Sequence, residues 1–185
     1  MNRILSSVAL AFICLFPVYG QMAWNAKYQN YFNQYKDLAI EQMLKYRIPA
    51  SITLAQGVFE SGAGYSDLAR NGNNHFGIKC HGWQGRKTYH DDDARNECFR
   101  AYDSPGQSYE DHSKFLVQSQ RYRRLFSLKI TDYKGWAHGL KACGYATNPA
   151  YAKKLIDIIE LYKLYKYDSA HGYDKFMAKH ASEDS

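Results

Sequence analysis

Apolar residues recur at intervals of three and four from Trp24 to Tyr46, through Tyr28, Tyr31, Phe32, Tyr35, Leu38, Ala39 and Met43, which is the stripe of an amphipathic helix. Pro49 stops that run. A second helix is predicted from about Ser51, whose hydroxyl is placed to cap it, through Ile52, Leu54, Ala55, Val58 and Phe59, ending at Gly62 and Gly64. Glu60 therefore falls in its last turn. Between Asn73 and Tyr102 the helical period is lost: Phe76 to Cys80, Arg86 to His90 and Glu97 to Tyr102 read as short strands, with Gly82, Gly85 and the run Asp91 to Asn96 supplying turns. The period returns at Ser104-Pro105, cap and first residue of a helix with Tyr109, His112, Phe115 and Leu116 on one face. Thr131 then caps a helix through Trp136 and Leu140, and Asn148-Pro149 opens another through Tyr151, Leu155, Ile158, Ile159 and Tyr162. Helices, a small antiparallel sheet of at most three strands, then helices again describe an α+β domain with a cleft between a helical body and a β-lobe.

The two ends of the chain break this pattern. Met1-Asn2-Arg3 followed by an apolar run from Ile4 to Val18 has the layout of a secretory signal peptide, so residues 1–20 are expected to be removed. The run is interrupted by Ser6, Ser7 and Pro17 and is short for a membrane span. Cys14 lacks the small upstream residues of a lipid-attachment site, since Phe12 and Ile13 stand there. The expectation is an exported protein in the periplasm or at the cell surface, without a stable membrane anchor, and by default monomeric. One domain is assigned to residues 21–167 and a frayed tail to residues 168–185.

Charge and cysteines refine the picture. The net charge of +6 is dispersed, with no Lys/Arg block, so nucleic acid is a poor partner and an anionic wall polymer a better one. Export makes disulfides the default for close cysteines. Cys80 and Cys98 bracket the strand-rich segment and are expected to pair, which leaves Cys143 as a buried free thiol.

Glycosidic cleavage needs a carboxylic acid kept protonated near neutral pH and a group that stabilises positive charge on the sugar. Glu60 has the local requirements of that acid. Val58 and Phe59 can desolvate it, and the glycines downstream turn the chain sharply and leave the carboxyl facing a cleft. A metal site is disfavoured, because there is no His-Glu-x-x-His sequence and Asp91 to Glu97 fails as a calcium loop, with Arg95 at a ligand position and no glycine. No cofactor is called for. A Cys/His nucleophile would need Cys80 or Cys143 beside a histidine, and His81 and His138 are only sequence neighbours.

Four ordered blocks give a stronger indication. Ala55-Gln56-Gly57-Val58-Phe59-Glu60-Ser61-Gly62, Asn73-Asn74-His75-Phe76-Gly77-Ile78-Lys79, Phe99 to Ser104 with Asp111-His112, and Gly144-Tyr145-Ala146-Thr147-Asn148-Pro149 resemble the glucosaminidase family of bacterial autolysins and flagellar peptidoglycan hydrolases. The resemblance covers roughly residues 35–165. It implies a lysozyme-like fold, hydrolysis of the β-1,4 bond after N-acetylglucosamine in peptidoglycan, and Glu60 as general acid. Asn148 stands where the family more often has Asp, and His75 fills a variable slot. The resemblance also implies a second carboxylate on the lobe. Asp91, Asp92, Asp93 and Glu97 all lie on or beside the corresponding turn, and Asp91 and then Glu97 are favoured. By the same resemblance Tyr145 faces Glu60 across the cleft, and Asn73, Asn74, Phe76 and Trp83 are candidate substrate-binding residues. Two other readings stay open: an N-acetylmuramidase or lytic transglycosylase with the same single glutamic acid, and an inactive peptidoglycan-binding module.

Overall fold

The computed structural model describes residues 22–92 and 95–169; the expected signal peptide, Asp93 and the tail from residue 170 lie outside the described residues. The first helix, α1 (Ala26–Tyr46), is capped by Asn25, whose side chain accepts from the Lys27 amide, and it ends on Arg47 in the left-handed region. Against it packs α2 (Ala50–Glu60), buried from Ala50 through Val58. A helix apolar on every side belongs in a protein's centre, and polar side chains of α2 are tied to other elements there. Ser51 donates through Oγ (2.5 Å) and its amide (2.9 Å) to the Asp168 carboxylate, and Tyr151 accepts from Gln56 Nε2 at 3.0 Å. The close approach of α1 depends on Gly57, where an added Cβ would stand 2.5 Å from the Tyr31 hydroxyl.

Next come a short helix, α3 (Asp67–Gly72), and the hairpin β1 (Lys87–His90) and β2 (Glu97–Arg100), antiparallel with Thr88 opposite Phe99. The chain continues through α4 (Pro105–Gln118), a 3-10 helix (Gln120–Ser127), α5 (Tyr133–Ala142), α6 (Tyr151–Leu161) and a 3-10 helix (Leu164–Asp168). Trp136, Leu140, Leu155, Ile158 and Ile159 complete the core on which α2 lies. Among the described residues no helix is long and apolar enough to cross a membrane.

Several local expectations need correction. The third strand reduces to one bridge, Lys79 to Phe99, because Gly77 at φ +62° and His81 at φ +38° turn the chain on either side of it. Ser51 lies inside the first turn of α2 and gives its hydroxyl to Asp168 rather than capping the helix. Asp132 rather than Thr131 caps α5, accepting from the Gly135 amide at 2.9 Å, since a carboxylate is the stronger acceptor for an orphan helix N–H. Asn148 closes a turn by accepting from the Ala150 amide, and α6 starts at Tyr151. Asp168, assigned to the tail, is 4% exposed and ties the last described turn to the start of α2.

The lobe is thin. Phe99 is the sole buried residue of its two strands, and the Cys80–Cys98 disulfide, with Cα atoms 5.5 Å apart, staples its base. Arg100 joins it to α4 through both oxygens of Asp111 (3.0 and 2.8 Å), an arrangement Tyr102 completes by donating its hydroxyl at 2.6 Å. Cys143 is a free thiol, half-buried rather than buried.

Candidate active site

A cleft of about 510 Å³ runs between the helical body and the lobe. Glu60 is the last residue of α2 and lines it. The chain leaves the helix through Gly62, Ala63 and Gly64, all with φ between 56° and 83°, so the backbone turns away and leaves the carboxyl facing the opening. Ser61 locks this corner by donating to the Gly57 carbonyl at 2.5 Å and accepting from the Gly64 amide at 2.8 Å. Behind it the Tyr109 hydroxyl donates to that of Tyr31 (2.9 Å), which is hydrogen-bonded to His75 Nδ1 at 3.0 Å.

Burial pushes the Glu60 carboxyl up to about 7; a hydrogen bond from the Tyr151 hydroxyl pulls it back, and the negative charge of Asp92 pushes it further up. Such a group is about half protonated at neutral pH and sits against a cavity, as a proton donor requires. Tyr145 lines the same cleft, with its ring stacked on that of Tyr151 at 5.7 Å between centroids. Burial and the charges of its neighbours, Glu60 among them, raise its hydroxyl pKa well above the usual value, so it remains a neutral donor.

The structure separates the other candidates. Phe76 lines the cleft, stacked at 3.9 Å on His112. Of the acids on the lobe turn, Asp92 lines it, while Asp91 turns back to accept from the Asn96 amide at 2.7 Å and Glu97 pairs with Lys79 at 2.9 Å. Among the described acids of the turn, Asp92 is thus the one at the cleft, and Asp91 and Glu97 are engaged within the hairpin; Asp93 lies outside the described residues. Asn73 and Asn74 do not line the cleft either: Asn73 donates to the Tyr102 carbonyl, and buried Asn74 donates to the Ile78 and Arg100 carbonyls and accepts from the Ile78 amide. Trp83 is also outside it, donating to the Arg86 carbonyl with the Arg100 guanidinium 4.9 Å from its ring.

Two residues at the site went unnoticed in the sequence. Tyr151 occurs on the apolar face of its helix like any core aromatic, and only the fold brings its hydroxyl close enough to Glu60 to lower that carboxyl's pKa. Arg121 lies in a segment whose 3-10 helix has no clear periodic signature, yet it lines the cleft.

The family profile described as mannosyl-glycoprotein endo-beta-N-acetylglucosaminidase matches residues 36–164. The chain belongs to the glucosaminidase family. Within it, the exo-glucosaminidase LytG of Bacillus subtilis is 34% identical over 139 residues, 69% of this chain and 49% of that protein. The peptidoglycan hydrolase FlgJ of Escherichia coli K12 is 33% identical over 129 residues, 63% of this chain and 41% of that protein. The chain thus spans about half the length of the curated relatives it matches or less. Its glucosaminidase domain superposes on the glycoside hydrolase domain of Salmonella typhimurium FlgJ with a TM-score of 0.63 at 26% identity, covering 82% of this chain and 98% of that one. The catalytic domain of the autolysin Auto from Listeria monocytogenes gives 0.64 at 27%, covering 80% and 91%. The helical body with its small antiparallel lobe is the architecture of these glycoside hydrolase domains.

Proposed function

We propose that this glucosaminidase domain hydrolyses the β-1,4 bond after N-acetylglucosamine within peptidoglycan strands, outside the cytoplasm, with Glu60 as general acid. The observation that carries the reading is a carboxyl raised to about 7 at the wall of a cleft. Protonated Glu60 gives its proton to the leaving glycosidic oxygen as positive charge develops on the sugar ring. Asp92, across the cleft on the lobe, supplies the second carboxylate, and the Tyr145 hydroxyl supplies a neutral donor for the N-acetyl group or the attacking water. The first role of Asp92 is electrostatic, since its charge adds to the larger effect of burial in favouring the protonated form of Glu60.

Purified wall digested with wild type and with Glu60→Gln tests this. Reducing N-acetylglucosamine ends are expected by mass spectrometry from the wild type, with turnover at least about 10²-fold lower for the variant. Reducing muramic acid or anhydromuramic ends would instead assign a muramidase or transglycosylase. Wild type that pellets with wall but releases nothing would assign a binding module. Rapid shortening of strands marks internal cutting, and steady release of terminal units marks exo action.

A further inference from the structure

We infer that Arg121 is a specificity-determining residue of this cleft, its guanidinium pairing with a carboxylate of the glycan strand beside the scissile bond. The inference rests on the hydrolase reading above and names what the cleft prefers within that substrate class.

Arg121 is the second residue of the 3-10 helix Gln120–Ser127, whose next residue, Tyr122, is fully buried and fixes the segment to the core. The Arg121 guanidinium lies 4.8 Å from the centre of the Tyr122 ring, so the ring presents the charge to the cleft it lines while the residue remains exposed. Its charge also acts on the Tyr145 hydroxyl, which places it on the helical wall near the proposed chemistry. Among the described residues no carboxylate lies within ion-pair distance of Arg121. The lobe's cleft-lining Lys79 differs, being held by Glu97 at 2.9 Å and Asp92 at 3.6 Å.

The chemistry of possible strands selects the ligand. A strand of N-acetylglucosamine alone offers hydroxyl and acetamido groups, all neutral. A strand with muramic acid at alternate sugars carries a carboxylate there, on the lactyl ether where the peptide is absent and on the peptide where it is present. Glu60 and Asp92 disfavour an anion at the centre of the cleft. A planar guanidinium set to one side of them is where a substrate carboxylate is welcome, and its fork donates to both oxygens.

The test uses peptide-bearing strands, strands stripped of peptide, and both again after carbodiimide coupling has turned their carboxylates into neutral amides. For wild type, KM is expected to rise about five- to tenfold on amidation, with kcat much less affected, as for an exposed charge-assisted pair. Which of the unmodified strands shows the effect tells the lactyl from the peptide carboxylate. In Arg121→Gln and Arg121→Met the ratio of native to amidated KM should approach one, and Arg121→Lys should restore part of it. A wild-type ratio near one for both strand types, or a ratio unchanged in folded Arg121→Gln, overturns the inference. Binding of the same four strands to Glu60→Gln protein separates the two readings. Arg121-dependent preference for anionic strands by a wild type that cuts none would refute the hydrolase and leave the carboxylate contact standing.

Discussion

The helix that carries Glu60 is buried from Ala50 through Val58, whereas the opposing lobe contributes one buried strand residue, Phe99, to its two strands. The helical wall holds its acid by a packed central helix, a locked corner at Ser61 and the hydroxyl of Tyr151. The lobe holds Asp92 on an exposed turn, supported by a disulfide and a few polar ties. Beneath the larger upward push of burial, the two walls also bring opposed polar influences to Glu60, Tyr151 lowering its pKa and Asp92 raising it. An acid needs a dry, fixed seat to keep its proton, while the group across from it works through charge and tolerates a lighter mount.

The largest expected effect tests the rigidity of the helical wall. Trp136, 1% exposed and edge-on to Phe126, anchors the packing between α5 and the rest of the body, so Trp136→Ala should cost about 3–5 kcal/mol in urea unfolding. A cost below about 1 kcal/mol would show that this wall is not the over-determined one. The lobe should respond differently. Reducing Cys80–Cys98, which closes 18 residues of chain, should cost about 2–3 kcal/mol at most. Turnover should fall while far-UV circular dichroism, dominated by the helices, stays near its native value. Equal loss of helix and activity would make the walls one unit.

The seat of Glu60 has its own cost. Its carboxyl titrates near 4.5 when unperturbed and about 7 in the fold, so between these values the folded protein binds more protons and stability falls as pH rises. Glu60→Gln escapes that loss and should be more stable than wild type by about 1–3 kcal/mol at pH 8, the difference vanishing near pH 4. The difference is the useful quantity, because other buried groups act over the same range. Asp168, raised to about 7 by burial, adds a loss of the same sign; His75 and His112, lowered by burial to about 4 and about 3, give stability that is gained as pH rises toward 6.5. The smallest effects set the walls against each other. Tyr151→Phe should move the alkaline limb of the pH–rate profile upward and Asp92→Asn should move it downward, each by about 1 pH unit or less. Shifts of the same sign would remove the opposition between the walls.

How much could be read beforehand follows the same division. The helical wall was legible, because burial imposes a period of three and four on α1, α4 and α6, and because glycines after Glu60 signal a turn that must expose something. The lobe was legible only as a region. With few buried positions its alternation is weak, so a bridge at Lys79 looked like a strand, and four neighbouring acids on one turn carry no mark of which faces inward. The places of Asn73, Asn74 and Trp83 away from the cleft lining are not legible for a related reason: side chains that satisfy backbone groups at a junction have the same composition as side chains that bind sugars. Ser51 and Asp168 are 117 residues apart, beyond the reach of any local pattern.

The central claim is that the fold keeps a proton on Glu60 near neutral pH. Carboxyl-carbon NMR of protein labelled in its glutamate side chains, with Glu60→Gln to assign the resonance, measures this directly. A titration midpoint near 7 is predicted. A midpoint near 4.5, the ordinary value for glutamate, would contradict the account.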